Sequence, residues 1–278
     1  MITIYDASGQ FIKYDSLTFS GGEEHIRLKN NAFGRDQIQG SRVKIVAHLW
    51  AGREILQLLM ITDALRRAGA TDIDLVMPYV PYARQDRVCN PGEALSIKVF
   101  CDLVNSQKYR TVEIWDPHSD VTPALLERCR VYEQKEFAKL IPGINQMTLI
   151  APDGGALKKT YALQSIVQRP VGIGTKHRDT KTGEITGTSI STPEFSWGGE
   201  FLIVDDICDG GKTFIELSKV LKSPYYGHNS KVYLYVTHGI FSKGLNVLKP
   251  YIDHVYTANI FPDRYQGNEG YVTILRRN

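Results

Sequence analysis

The sequence predicts an α/β fold made of two similar domains, each a mostly parallel sheet flanked by helices. Short apolar runs rich in Val and Ile recur along the 278 residues, and most are followed by a stretch with the apolar spacing of one helix face. These runs form two series separated by a polar stretch. Continuously apolar strands that alternate with helices are typical of parallel sheets covered on both faces.

The first series lies in the first half of the chain. Its clearest unit is VKIVAHL followed by REILQLLMITDALRRAGA, whose Leu and Ile spacing fits one helix face and whose Gly69 marks the end of the helix. A polar stretch at residues 127–136 ends the series, so the predicted domains are residues 1–132 and 133–278. The predicted elements are strands at residues 43–49, 72–80 and 111–116 and helices at residues 53–70 and 94–106.

The second series fills the rest of the chain. Its predicted elements are strands at residues 147–152, 165–174, 201–207, 231–239 and 254–260 and a helix at residues 212–222. Residues 267–278 are predicted to form one more strand, and we expect the end of the chain to pack on the first domain. Ligands of parallel sheets bind beyond the carboxyl ends of the strands, which is where most polar motifs of this sequence lie.

The bulk composition excludes several classes of protein. The formal net charge is only +3 and no block of Lys and Arg is present, so we expect no nucleic-acid partner. No run approaches the about 18 apolar residues of a membrane-spanning helix, and the N-terminus does not resemble a secretory signal. No C-x-x-C pair occurs, so we expect reduced thiols in a cytoplasmic protein at Cys89, Cys101, Cys129 and Cys208.

The motif with the clearest mechanism is LIVDDICDGGKTF at residues 202–214. An apolar strand ends in the carboxylates Asp205 and Asp206, and a turn then opens a helix. Glycines let backbone amides approach an anion, and the N-terminus of a helix favours negative charge. Because carboxylates accept hydrogen bonds from sugar hydroxyls, the motif predicts a ribose phosphate site. The turn itself consists of Asp209, Gly210, Gly211, Lys212 and Thr213.

Six motifs together resemble the ribose-phosphate diphosphokinase family, also called phosphoribosyl pyrophosphate synthetases. The most specific is PYVPYARQDR at residues 78–87, and the motifs follow the family's order from residue 19 to residue 242. The others are FSGGE (19–23), WDPHSD (115–120), APDGGALKK (151–159), GTKHR (174–178) and VDDICDGGKT (204–213). The resemblance implies phosphoribosyltransferase-like domains and Mg²⁺-dependent transfer of a diphosphoryl group from ATP to the 1-hydroxyl of a 5-phosphorylated ribose, with release of AMP.

The resemblance assigns the ATP site to the first domain. Phe19 would stack on adenine, with Glu23 close by. His118 would bind Mg²⁺ or position its waters, together with Asp153 of the second domain. The ATP site would otherwise be lined by Arg84, Gln85, Asp86, Arg87 and His118.

The same resemblance assigns the acceptor site and the catalytic cations to the second domain. Lys176 and Arg178 would close over the transferring phosphoryl group as part of the polar stretch at residues 176–189. Asp205 and Asp206 would bind the ribose hydroxyls. The 5-phosphate would lie on the turn formed by Asp209, Gly210, Gly211, Lys212 and Thr213.

Departures from the family pattern bear on the acceptor and on assembly. The family's D-T-A-G-T phosphate loop is D-G-G-K-T here, so the turn gains a cation and loses a methyl group. This fits ribose 5-phosphate or the larger ADP-ribose, the acceptor of short bacteriophage relatives in NAD salvage, which this chain resembles in length and loop. Segments that pack the family's hexamer are replaced here. The resemblance nevertheless implies an ATP site completed by the adenine loop of a neighbouring subunit, so we expect a homo-oligomer of at least two subunits, in the host cytoplasm if the protein is phage-encoded.

Two other classes of function stay open. A phosphoribosyltransferase shares the ribose-phosphate turn, although RQDR and FSGGE argue for an ATP site. A catalytically silent relative that regulates a partner is the third reading, although the residues with catalytic and metal roles are present. We interpret His238 as a structural histidine and Lys158 and Lys159 as a solvated helix start.

Overall fold

A computed structural model of the chain describes residues 1–29, 38–178, 185–191, 199–226 and 229–276, with the side chains of residues 176–178, 185–188 and 262 outside that description. The chain divides into two compact units, Met1–Tyr132 and Glu133–Asn278. Each unit contains a mostly parallel sheet with helices, so the predicted α/β fold class is confirmed.

The first unit is built on a sheet with the strand order β2-β1-β5-β6-β7-β8. Strands β5 to β8 are parallel, whereas β1 and β2 are antiparallel at one edge, and β3 and β4 form a separate hairpin. The strands are β1 (Ile2–Tyr5), β2 (Phe11–Ile12), β3 (Tyr14–Thr18), β4 (Glu24–Leu28), β5 (Arg42–Ala47), β6 (Asp72–Met77), β7 (Thr111–Trp115) and β8 (Cys129–Tyr132). The helices are α1 (Gly52–Arg67), α2 (Ser96–Ser106) and α3 (Val121–Leu125).

Helix α1 illustrates how local sequence fixes an element of the first unit. The Glu54 carboxylate accepts a hydrogen bond of 3.1 Å from the Ala51 amide, which caps the N-terminus of the helix. After the last turn, Gly69 takes the left-handed conformation with φ of +92°, which ends the helix. The side chains buried on its inner face are Ile55, Leu58, Ile61, Thr62 and Leu65. The predicted helix is therefore confirmed, as are the predicted strands that became β5, β6 and β7.

The second unit is built on a sheet with the strand order β11-β10-β9-β12-β13-β14-β15, parallel except for the antiparallel pair β10 and β11. The strands are β9 (Thr148–Ala151), β10 (Val171–Arg178), β11 (Ile185–Ser191), β12 (Glu200–Cys208), β13 (Lys231–Gly239), β14 (His254–Ile260) and β15 (Val272–Ile274). The helices are α4 (Gln134–Ala138), a 3₁₀ turn (Ile144–Gln146), α5 (Leu157–Val167), α6 (Lys212–Leu221) and α7 (Pro262–Tyr265). The end of the chain, which we expected to pack on the first domain, adds β15 beside β14.

The predicted strand at residues 165–174 is wrong in its first part. Helix α5 continues to Val167 because Thr160, Leu163 and Val167 share one buried face. Gln168 then takes a left-handed conformation with φ of +52°, and the strand begins only at Val171. Ile166 and Val167 are β-branched and favour a strand, but burial of one face of α5 keeps them helical.

Strands β10 and β11 form an arm that extends past the carboxyl end of β9. Strand β10 pairs with β9 only as far as Ile173, which lies opposite Ala151 at the end of β9. Beyond that point β10 pairs only with β11, including the pair Lys176 with Thr188. The described part of the polar stretch at residues 176–189 thus forms antiparallel strands. Residues 179–184 of that stretch lie outside the described residues.

The base of this arm packs too closely for any side chain at Gly174. A Cβ there would lie 2.8 Å from both the Pro152 carbonyl oxygen and Leu217 Cδ2. We expect Gly174→Ala to lower the free energy of unfolding by about 1–3 kcal/mol, because the backbone of residue 152 cannot move away as a flexible side chain would. Urea denaturation measures this effect. Gly154→Ala is the matched control, since a Cβ there meets nothing within 4 Å; equal losses in the two variants would contradict the tight contact.

Candidate active site

The ribose-phosphate turn, as we call the predicted phosphate-binding residues 209–213, joins the carboxyl end of β12 to the N-terminus of α6, as the motif predicts. The helix begins after Gly211, whose carbonyl accepts a hydrogen bond of 3.0 Å from the Ile215 amide. The first amides of a helix have no carbonyl partner within the helix, so those of Lys212 and Thr213 are suited to hold an anion. The turn therefore has the geometry of a phosphate site.

Two observations explain why glycine occupies position 211. Its φ is +79°, in the left-handed region where a Cβ is strained. In addition, a Cβ there would lie 2.7 Å from Cδ2 of Leu248, which is buried. Gly210 differs, because a Cβ at that position would come no closer than 3.6 Å to another residue. Position 211 therefore requires glycine, whereas position 210 has space for a larger group.

The carboxylates Asp205 and Asp206 lie on β12 just before the turn. Asp206 is buried, and its amide donates a hydrogen bond of 2.9 Å to Asp205 Oδ1. Burial, followed by the charges of Asp206 and Asp153, raises the pKa of Asp205 well above the usual carboxyl range. Carboxyl groups therefore crowd the end of β12, an arrangement that favours a cation or hydrogen-bond donors such as sugar hydroxyls.

Lys159 belongs to this group of charges. Its ammonium lies 3.7 Å from Asp206 Oδ2, and its side chain is only 27 % exposed. The interpretation of Lys159 as a solvated lysine is therefore wrong. It lies on α5, and only the packing of α5 against β12 brings it to the carboxylates, so no local pattern in the sequence indicates the contact.

Asp153 follows β9, the strand next to β12, so it lies at the same edge of the sheet as Asp205. The Gly155 amide donates a hydrogen bond of 3.1 Å to Asp153 Oδ1 and holds the carboxylate in its turn. Within the described ranges, no three His, Cys, Asp or Glu side chains converge closely enough to form a metal cage. The oxygen donors of Asp153, Asp205 and Asp206 nevertheless suit Mg²⁺, which keeps several waters and takes few protein ligands.

The predicted catalytic cations lie on the arm. Lys176 and Arg178 are both residues of β10, past its last pair with β9. Their side chains fall outside the described part of the structure. The backbone places both residues beyond the carboxyl edge at which Asp153 and Asp205 lie.

In the first unit, the RQDR segment follows the carboxyl end of β6. Arg84, Gln85 and Arg87 are exposed, and Asp86 lies 3.7 Å from Arg87 through Oδ1 and Nε. The Gln85 carbonyl accepts a hydrogen bond of 3.4 Å from the Ile97 amide, which ties the segment to the start of α2. The predicted ATP-binding residues therefore lie at the edge where ligands of parallel sheets bind.

The next strand, β7, places His118 at the same edge. Asp116 is buried, its φ is +36°, and its amide donates a hydrogen bond of 2.7 Å to the Tyr132 carbonyl. This strained turn leads the chain out of the sheet so that His118 is exposed. After the ends of the neighbouring strands β5 and β6, the Trp50 ring stacks on the Tyr79 ring, with 6.2 Å between the ring centroids.

The FSGGE motif forms the tip of the β3–β4 hairpin. The Phe19 amide donates a hydrogen bond of 2.8 Å to the Glu23 carbonyl, and Phe19 is half exposed. Glu23 is exposed, whereas the neighbouring Glu24 is buried and accepts a hydrogen bond of 2.6 Å from Gln57. The hairpin is thus tied to α1 through Glu24, and its tip leaves an aromatic ring available for a ligand.

Several remaining expectations have structural outcomes. His238 is buried beside Asn259, with 3.5 Å between its Nδ1 and the amide nitrogen, as expected of a structural histidine. All four thiols are free, and burial raises the pKa of Cys208. In the part of the chain that the structure describes, no helix has both the length and the apolar character to cross a membrane.

Comparison with known proteins agrees with this geometry. Residues 7–107 match the family model for the N-terminal domain of ribose phosphate pyrophosphokinase. The ribose-phosphate pyrophosphokinase of Pyrococcus furiosus is 27 % identical over 88 % of this chain and 84 % of its own length. That of Thermococcus kodakarensis is 26 % identical over 92 % of this chain and 89 % of its own length.

The solved structures give the same result for the fold. The phosphoribosylpyrophosphate synthetase of Mycobacterium smegmatis matches 96 % of this chain and 87 % of its own with a TM-score of 0.76, at 18 % identity. Fold, family model and full-length relatives thus agree with the motifs at the two sheet edges. Over most of its length the chain is therefore similar to ribose-phosphate pyrophosphokinases, which are diphosphotransferase enzymes.

Proposed function

We propose that the chain transfers the diphosphoryl group of ATP to the anomeric hydroxyl of ribose 5-phosphate, releasing AMP and forming phosphoribosyl pyrophosphate. One observation carries the proposal: a glycine turn on a helix N-terminus lies directly after the carboxylates Asp205 and Asp206 at one sheet edge. A 5-phosphate on the turn leaves the ribose hydroxyls within reach of those carboxylates. The reaction would run in the cytoplasm, where both substrates occur.

The reaction breaks one phosphoanhydride bond and forms one phosphate ester bond. The acceptor's 1-hydroxyl oxygen attacks the β-phosphorus of ATP, the bond between that phosphorus and the oxygen shared with the α-phosphate breaks, and AMP leaves. The hydroxyl proton passes to solvent. Such a transfer depends mainly on positioning and charge neutralisation, so the contributions of the protein are orientation and cations.

The two units would divide the substrates. In the first, Phe19 would stack on adenine beside Glu23, and Arg84 and Arg87 would face the phosphates. Gln85 and Asp86 would complete that segment together with His118. In the second, the turn from Asp209 to Thr213 would hold the 5-phosphate, and Lys176 and Arg178 on the arm would neutralise the transferring group.

The donors present fit Mg²⁺, which we propose as the cofactor. His118 and Asp153 would hold the ion or its waters, and the crowded carboxyl groups of Asp205 and Asp206 favour a cation in the same part of the second unit. When bound, Mg²⁺ would neutralise charge on the phosphates of ATP. We also propose a homo-oligomer of at least two subunits.

A second acceptor, ADP-ribose, is favoured by the openness of Gly210. A Cβ there would meet nothing closer than 3.6 Å, whereas the family's loop has a side chain in this part of the turn. Lys212 adds a cation at the start of α6. Space and positive charge both suit a 5-substituent with two phosphates, so the same chemistry would give ADP-ribose 1-pyrophosphate.

The acceptor is decided by incubating the protein with ATP and Mg²⁺ and either ribose 5-phosphate or ADP-ribose. Chromatography then follows AMP. We expect AMP release that depends on ribose 5-phosphate. AMP release that occurs only with ADP-ribose would show that ADP-ribose is the acceptor. AMP with neither would contradict it and favour a silent regulatory relative, and transfer of ribose phosphate to a base would favour a phosphoribosyltransferase.

A further inference from the structure

The loop after β13 brings one more lysine to the ribose-phosphate turn. If a Cβ is built on Gly210, its nearest neighbours are three carbons of one side chain, Cε, Cδ and Cγ of Lys243, at 3.6, 3.7 and 3.9 Å. The aliphatic part of Lys243 therefore lies alongside the side of Gly210 that has no side chain. The ammonium is one bond past Cε, so it lies no more than about 5 Å from that position.

Backbone hydrogen bonds hold this loop against the turn. The amides of Ile240 and Phe241 both donate to the Cys208 carbonyl, at 2.9 and 3.0 Å. The Ser242 amide donates to the Asp209 carbonyl at 3.1 Å. Since β12 and β13 are parallel neighbours, their carboxyl ends share one sheet edge, and these bonds join the two connections that leave it. The backbone that immediately precedes Lys243 is thus held against the turn.

The loop also contains strain that its packing maintains. Phe241 is buried and has φ of +45°, a conformation that is strained for a residue with a side chain. Gly239 makes room for it, because a Cβ there would lie 2.1 Å from the Phe241 ring. Such strain persists only where the surroundings fix it. The position of Lys243 is therefore a property of the fold and differs from that of a lysine on a free surface loop.

The charge of Lys243 is available to a ligand. The residue is exposed, and among the described residues its ammonium has no hydrogen bond or ion pair. A cation beside an open glycine in an anion-binding turn is suited to contact phosphate oxygens. Lys212 at the start of α6 adds to the positive charge of the same turn.

We infer that Lys243 is a further acceptor-binding residue, whose ammonium contacts the phosphate esterified to the 5-carbon of the acceptor. The role rests on the proposed function, because it requires the acceptor's phosphate to lie on the turn from Asp209 to Thr213. The contact is made equally before and during the transfer, so it strengthens acceptor binding and leaves the rate of the chemical step unchanged.

Calorimetric titration of the protein with ribose 5-phosphate, and separately with ADP-ribose, tests this role at low ionic strength. We expect Lys243→Met to raise the Kd of the bound acceptor about tenfold, as for loss of a hydrogen bond between charged groups, and Lys243→Arg to restore most of the affinity. The KM for the acceptor should rise in parallel, while kcat and the KM for ATP stay unchanged. Lys249→Met is the control, because the Lys249 ammonium lies over the Tyr271 ring, 5.6 Å from the ring centroid.

Equal acceptor affinities in Lys243→Met and Lys249→Met would overturn the role, as would a chain that binds neither acceptor. The proposed function fails separately: a chain that binds an acceptor through Lys243 but releases no AMP would keep the binding role and lose the activity. Circular dichroism of the variants before titration shows whether each is folded.

Discussion

Replacing Lys176 with alanine should lower turnover roughly a hundredfold, the effect of removing about 3 kcal/mol of stabilisation of a transition state by one positioned cation. Lys176 lies on the arm past the last pair of β10 with β9, beyond the edge that contains the carboxylates and the ribose-phosphate turn. Because the arm is paired backbone to backbone, loss of one side chain leaves its geometry intact. Steady-state AMP release measures the effect.

The matched control for this variant is Lys231→Ala. Lys231 is the first residue of β13, at the opposite edge of the same sheet, and pairs with Glu200 at 3.7 Å on the surface. We expect that variant to retain full activity. Near-normal turnover in Lys176→Ala would show that Lys176 has no catalytic role.

Replacing Asp206 with asparagine should lower kcat/KM for the acceptor by about tenfold to a hundredfold, because hydrogen bonds to a charged group contribute about 1.5–3 kcal/mol. The change keeps the shape of the side chain and removes its charge, so the ribose hydroxyls lose their strongest acceptor of hydrogen bonds. Steady-state kinetics with varied acceptor measure the effect, and the KM for ATP should change little.

A stability measurement separates this effect from misfolding. The neutral variant relieves repulsion between Asp206 and Asp205 but loses the contact of 3.7 Å with the Lys159 ammonium, so its free energy of unfolding should change little. Asp263→Asn serves as the control, because Asp263 pairs only on the surface, at 3.5 Å from Arg264. A fall in activity that accompanies an equal fall in stability would contradict a role in acceptor binding.

The fold was predictable where local pattern and tertiary burial agree. β13 was predicted at residues 231–239 and occupies Lys231–Gly239, because its apolar run is buried on both faces of the sheet. The strand predicted from residue 165 failed, since Ser165 to Val167 belong to a helix whose buried face is set by residues earlier in the chain.

The sequence predicts those parts of the candidate site whose residues are consecutive in the chain. The turn from Asp209 to Thr213 follows a strand and begins a helix, so one segment of sequence is enough to predict that it binds an anion. Lys159 and Lys243 reach the same site from other segments, through the packing of α5 and through hydrogen bonds to the carbonyls of Cys208 and Asp209. These contacts join segments that are distant in the sequence, so no local sequence pattern predicts them and only the three-dimensional structure shows them.

In the proposed reaction, two phosphates move from ATP to the acceptor together. Phosphorus NMR of a reaction with ATP, Mg²⁺ and ribose 5-phosphate tests it most directly, because the products of diphosphoryl and monophosphoryl transfer have different spectra. We predict equimolar AMP and a new diphosphate ester on the acceptor's 1-carbon. Formation of ADP with a single phosphate on the acceptor would contradict the account.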